Sequence, residues 1–108
     1  MSTSPKRHDV FQAIADPTRR EILKLLAGRE LAVTEVAEKF PISRTAVSKH
    51  LLILDEAGLV ESRKTGREKR FTLKPEPLSE LEQWLSYFEQ FWQNKMSMLK
   101  HLAEKKEN

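Results

Sequence analysis

Residues 33–58, VTEVAEKFPISRTAVSKHLLILDEAG, contain two short helical patterns separated by a proline. The apolar residues of the first pattern recur at helical spacing and are Val33, Val36, Ala37 and Phe40. Pro41 ends that helix, and Ser43 can cap the next one. The second helix places Val47, Leu51 and Leu54 on one face and ends near Gly58. Because only a few residues join the two helices, the stretch predicts a helix-turn-helix.

Helical and extended patterns flank this unit on both sides. Upstream, Val10, Phe11 and Ile14 indicate a short first helix, and Asp16-Pro17 begins a second. Downstream, the polar run around Gly66 separates two apolar extended segments and predicts a β-hairpin, which a long final helix follows. The predicted fold is therefore mainly α, a winged helix-turn-helix with five helices and a two-stranded β-wing between the fourth and fifth. We expect one domain over residues 8–104, with flexible tails at 1–7 and 105–108.

Composition narrows the possible functions. The chain has 108 residues and no cysteine, which excludes disulfides, thiolate metal sites and cysteine nucleophiles. It contains no apolar run long enough for a membrane span and no signal-peptide pattern at its start, so we expect a cytoplasmic protein. The three histidines are scattered and no glycine-rich phosphate loop is present, so we expect neither an enzyme nor a bound cofactor.

Positive charge is concentrated in the middle of the chain. The net charge of the whole sequence is only +3. Residues 43–70 carry seven Lys and Arg against four Asp and Glu, whereas residues 75–108 carry four against six. This distribution is expected if one face of the protein meets the phosphates of a nucleic acid.

The outer side of the fourth helix carries polar and cationic side chains suited to reading DNA. Arg can donate twice to a guanine edge, Ser and Thr can bond to bases or phosphate, and Lys can neutralise phosphate. The predicted DNA-binding residues of this helix are Ser43, Arg44, Thr45, Ser48, Lys49 and His50. The hairpin supplies a second basic group, made of Arg63, Lys64, Arg67 and Lys69. Leu52 also lies on the outer side, and the sequence assigns it no role.

The final helix carries an apolar stripe that one small domain cannot cover. Its large apolar residues recur every three or four positions almost to the C-terminus. A helix of about 25 residues spans nearly 40 Å, which is longer than a core of this size. The stripe therefore predicts a second copy of the chain as partner. The expected interface residues are Phe11, Leu81, Trp84, Leu85, Phe88, Phe91 and Trp92.

Two motifs resemble a known family. Residues 15–23, ADPTRREIL, look like the opening signature of the ArsR/SmtB winged-helix repressors, and residues 42–51, ISRTAVSKHL, are similar to their recognition helix. The resemblance covers the chain from Val10 to about Leu102. It implies a homodimeric repressor of transcription that binds a palindromic operator in double-stranded DNA, with the first and last helices at the subunit interface.

Many members of that family sense metals, but this sequence lacks the required ligands. Residues 31–37, LAVTEVA, occupy the place of the sensors' cysteine motif and hold no soft donor. His101 and Glu104 match half of a zinc motif of the family, while the other half would fall near Phe88 and Gln90, where no suitable pair of ligands stands. We therefore expect no metal site.

Two alternatives remain open at this stage. A small molecule or a metal bound between two subunits could release the repressor from DNA. Alternatively, the domain could be a protein-interaction module that uses the last helix or Leu52 and binds DNA only weakly. Titration of metals and ligands into the DNA complex separates the first alternative from an unregulated repressor, and a selection of genomic fragments tests the second.

Overall fold

The computed structural model describes residues 8–107 of the chain and the side chains of all of these except residues 96 and 105–107. In chain order the elements are α1 (Val10–Ile14), α2 (Pro17–Leu26), β1 (Glu30–Ala32), α3 (Val33–Ala37), α4 (Arg44–Glu56), β2 (Val60–Thr65), β3 (Glu68–Leu73), a 3₁₀ turn (Glu76–Leu78) and α5 (Ser79–Glu107). This order confirms the predicted winged helix-turn-helix. The proposed N-terminal tail, residues 1–7, lies outside the described residues, as does Asn108. Residues 105–107 of the proposed C-terminal tail belong to α5.

Local chemistry sets the start of both α2 and α4. The Asp16 carboxylate accepts the Thr18 backbone N–H at 2.8 Å, and Pro17 occupies the first position of α2, where no N–H is needed. The Ser43 hydroxyl accepts the Ala46 N–H at 3.1 Å and begins α4 in the same way. Both caps were predicted from the sequence.

The sheet has one strand more than the sequence predicts. Its strand order is β1-β3-β2 and every pairing is antiparallel. Leu31 of β1 pairs with Phe71 of β3, so the hairpin is joined directly to the segment that enters α3. Gly66 stands at the hairpin tip with a φ of +63°, a conformation that favours glycine in a two-residue turn.

Helix α3 is shorter than expected. The apolar pattern predicts a helix that reaches Phe40, but α3 ends at Ala37. The N–H of Lys39 donates to the Val36 carbonyl oxygen and that of Phe40 to the Ala37 carbonyl oxygen, at 3.0 and 3.3 Å. Each of these bonds joins residues three apart rather than four apart, as in a 3₁₀ turn, so the α-helix ends before Pro41.

One face of α4 packs against a single apolar core. The largest fully buried side chains are Ile22, Leu26, Val36, Val47, Leu51, Leu54, Leu59 and Val60. They come from α2, α3, α4 and the start of the wing. Because α4 contributes three of them along a single stripe, its opposite side faces solvent.

Helix α5 extends beyond this core. It has 29 residues, which corresponds to about 43 Å. Leu81, near its start, packs against the core. The radius of gyration is 19.4 Å, whereas about 13 Å is expected for a compact chain of this length. No helix within residues 8–107 is both long and apolar enough to cross a membrane.

Candidate nucleic-acid interface

The outer face of α4 presents the predicted recognition residues to solvent. Arg44, Thr45, Ser48 and Lys49 are exposed, and none of them has a side-chain hydrogen bond or ion pair within the described part of the chain. Ser43 is exposed as well, but its hydroxyl already caps the helix. The first turns of α4 therefore offer unpaired donors on the side away from the core.

A groove joins this face to the wing. It encloses about 300 Å³ and is lined by Ala32, Val33, Thr34, Arg44, Arg67, Glu68 and Lys69. Three elements thus meet there: the start of α3, the start of α4 and the hairpin tip. Arg44 of the helix and Arg67 and Lys69 of the wing share one groove, although they are far apart in sequence.

Thr34 was not among the predicted site residues. It lies in the first turn of α3, is exposed, and lines the groove beside Arg44. In helix-turn-helix proteins the helix before the recognition helix crosses the DNA backbone. A hydroxyl residue at the start of that first helix, such as Thr34, is therefore the sequence signal that could have identified this site residue.

The register of the hairpin separates its cations onto two faces. Residues paired across antiparallel strands share a face of the sheet. Lys64 pairs with Lys69, on the same face as buried Phe71, whereas Arg63 pairs with Arg70 on the other face. Lys64 and Lys69 are exposed and neither has an ion pair among residues 8–107.

Arg63 and Arg70 are instead bound by carboxylates. Arg63 donates to Glu30 through Nη2 to Oε1 at 2.8 Å and through Nε to Oε2 at 3.3 Å. Arg70 donates through Nη2 to Glu35 and through Nη1 to Glu68, both at 3.2 Å. The hydrogen bond from Arg63 lowers the pKa of Glu30 and, in return, raises the pKa of Arg63. The structure therefore does not bring Arg63 into the groove with Arg44.

His50 also lies apart from the other predicted residues. Its side chain is only 19% exposed, and its Nδ1 lies 3.3 Å from Arg19 Nη1 and 3.6 Å from Asp16 Oδ2. It faces α2 rather than the outer side of α4.

Leu52 is 55% exposed and lines a hollow of about 280 Å³ between α4 and the wing. Ser48, Lys69 and Phe71 line the same hollow. Leu52 thus lies between α4 and the sheet, in a hollow lined by one basic side chain, Lys69, and one acidic side chain, Asp55.

The predicted interface residues form an aromatic series along α1 and α5. The Phe11 ring meets Trp84 edge-on at 5.9 Å, and Trp84 meets Phe88 at 5.1 Å. Leu81 and Phe88 are half-buried within the chain. The remaining members are exposed by 38 to 54% and are Phe11, Trp84, Leu85, Phe91 and Trp92.

The two histidines outside α4 are His8 and His101. His8 Nδ1 lies 2.7 Å from Glu56 Oε2, and His101 is exposed on α5. Within residues 8–107 no group of three or more potential ligands is placed to hold a metal ion.

A helix-turn-helix with a cationic outer face, joined through one groove to a basic wing, defines a winged-helix DNA-binding protein. A family model described as "Bacterial regulatory protein, arsR family" matches residues 16–62. The chain belongs to this ArsR/SmtB family, and it is a DNA-binding regulator of transcription. It lacks the cysteines used by metal-sensing members.

Individual relatives support this assignment. The chain is 37% identical over 81 residues to the transcriptional repressor SdpR of Bacillus subtilis (strain 168), covering 75% of this chain and 90% of that one. It is 43% identical over 88 residues to the HTH-type transcriptional regulator Rv2034 of Mycobacterium tuberculosis, covering 82% of each. An ArsR-like transcriptional regulator from Rhodococcus sp. RHA1 is structurally similar, with a TM-score of 0.70 and 36% identity over 89% of this chain and 88% of that one.

Proposed function

We propose that the protein is a homodimeric repressor that binds a palindromic operator and blocks transcription by occupying it, in the cytoplasm where the DNA is. The observation that carries the proposal is the single groove shared by Arg44, Arg67 and Lys69. Because these side chains share a groove, the recognition helix and the wing lie on one face of the protein, which is required if both are to contact a duplex at the same time.

In this proposal the first turns of α4 enter the major groove. Arg44 donates to a guanine edge, Thr45 and Ser48 bond to bases or phosphates, and Lys49 neutralises a phosphate. Thr34 binds the phosphate backbone of the DNA where the duplex passes between α3 and the wing. Lys64, Arg67 and Lys69 hold the flanking phosphates.

The second subunit covers the aromatic series of α1 and α5. Five large apolar side chains of that series are at least 38% exposed in one chain, and α5 extends far past the core. An exposed apolar surface of this kind is typical of an interface between proteins. Two-fold pairing there duplicates the basic face, so the two recognition helices reach successive major grooves, about 34 to 36 Å apart on B-form DNA.

Selection of duplexes from a random pool tests the proposal directly. We expect a palindromic consensus whose half-sites are separated by about one helical turn. Each Arg44 contact to a base contributes about 1 to 3 kcal/mol and a dimer loses two, so Arg44→Ala should lower the affinity for that consensus by about 30-fold or more. It should also relax the preference at one base pair in each half-site. Enrichment of no sequence by the wild-type protein, or an unaltered preference in Arg44→Ala, would contradict the proposed docking.

A further inference from the structure

Arg19 of α2 contacts three parts of the molecule with one side chain that is 13% exposed. Its Nε donates to the Ala13 carbonyl oxygen at 2.6 Å and its Nη2 to the Gln12 carbonyl oxygen at 3.1 Å, both in α1. Its Nη1 lies 3.5 Å from Asp16 Oδ2, at the cap of α2, and 3.3 Å from His50 Nδ1, in α4. A single guanidinium thus joins α1, α2 and the recognition helix.

The chemistry of these contacts depends on the shape of the guanidinium. Arg can only donate hydrogen bonds, so in a hydrogen bond between Arg19 Nη1 and His50 the imidazole Nδ1 is the acceptor. The planar fork directs several donors at fixed angles, which a lysine ammonium does not reproduce. Since Arg19 and His50 are both largely covered by protein, solvent cannot readily replace a lost contact.

The connected helices have different tasks in the proposed dimer. Helix α1 carries Phe11, which packs against Trp84 of α5 at the expected subunit interface. Helix α4 carries Arg44 and the other recognition residues. We propose that Arg19 is a positioning residue that sets the orientation of α4 relative to α1, and through it the spacing of the two recognition helices. This inference rests on the proposed dimer bound to two half-sites.

Arg20 provides a matched control. Its Nη1 donates to the carbonyl oxygens of Ile14 and Ala15 at 2.7 and 3.3 Å, so it also binds the end of α1. It makes no side-chain hydrogen bond to α4 within the described residues. A variant of Arg20 therefore reports the effect of α1 capping alone.

The test compares Arg19→Lys and Arg20→Lys on the selected operator and on duplexes whose half-site spacing is changed by one base pair. We expect Arg19→Lys to bind the preferred spacing about tenfold more weakly and to discriminate less between spacings. Arg20→Lys should retain the wild-type affinity and discrimination. The slope of log affinity against log salt should not change in Arg19→Lys, because no phosphate contact is removed.

His50→Leu provides a second route if Arg19→Lys fails to fold in a thermal unfolding assay. It removes the α4 end of the contact and leaves the bonds from Arg19 to α1 in place, so it should show the same loss of spacing discrimination. Equal behaviour of the Arg19 and Arg20 variants on an operator that the wild type binds would overturn the positioning role alone. A wild-type protein that selects no two-half-site operator would overturn the proposed function, and the positioning role with it.

Discussion

Lys69→Ala is the sharpest test of how the wing binds DNA. Lys69 lies in the groove beside Arg44, so we expect it to neutralise one phosphate in each half of the complex. Each lost phosphate contact lowers the slope of log affinity against log salt by about 0.9, and a dimer loses two, giving about 1.8. When salt rises fourfold, from about 50 to about 200 mM, wild-type affinity should therefore fall about 12-fold more than that of the variant.

Arg63→Ala is the control, since it removes one positive charge from the same hairpin. Arg63 lies on the opposite face and is bound to Glu30 at 2.8 Å, so its loss should leave the salt slope unchanged and should lower the stability of the fold instead. Fluorescence anisotropy titrations of a labelled operator at several salt concentrations measure both slopes. A slope for Arg63→Ala that falls as much as that for Lys69→Ala would refute the assignment of faces.

Three further predictions concern assembly and stability. Trp84→Ala should weaken the dimer by about 30-fold or more in sedimentation experiments, because a large aromatic at an interface contributes about 2 kcal/mol or more; an unchanged dimer would place the interface elsewhere. The pKa of Glu30 is lowered in the fold, so ionised Glu30 should stabilise the folded state when the pH is above the ordinary carboxyl pKa. This stabilisation should be lost as the pH falls through the lowered pKa. In urea titrations, the free energy of unfolding of Glu30→Gln should then be lower than that of the wild type near neutral pH, and the two values should converge in acid. A difference that persists in strong acid would contradict this. Leu54→Ala, at a fully buried position, should lower the free energy of unfolding by about 2 to 5 kcal/mol, and a loss below about 1 kcal/mol would contradict its place in the core.

Periodic helices could be predicted from sequence because their buried faces repeat. Val47, Leu51 and Leu54 recur one turn apart and are all buried in the structure. Strand β1 gave no comparable signal because three residues contain hardly one period of alternation. Its existence depends on pairing with β3, about 40 residues further along the chain, which no local pattern reports.

The same limit applies to the candidate site. Exposure of Arg44 and Lys49 follows from the helical wheel, which is a local property. The face on which Arg63 lies depends on the hairpin register, and its partner Glu30 is 33 residues away in sequence. The sequence groups His50 with the DNA-binding residues of α4, but its side chain contacts Arg19 of α2, and a contact between two helices could not be predicted from either one.

The distribution of charge in the wing links its stability to its function. On one face, carboxylates neutralise Arg63 and Arg70, so this side holds the hairpin to β1 and α3 without a ligand. On the other face, Lys64 and Lys69 are directly opposed, and like charges in that position destabilise a hairpin. A phosphate bound between them would convert this repulsion into two attractions. In the proposed complex, DNA would offset this electrostatic cost of the free protein, which favours binding by the wing without requiring any base to be recognised there.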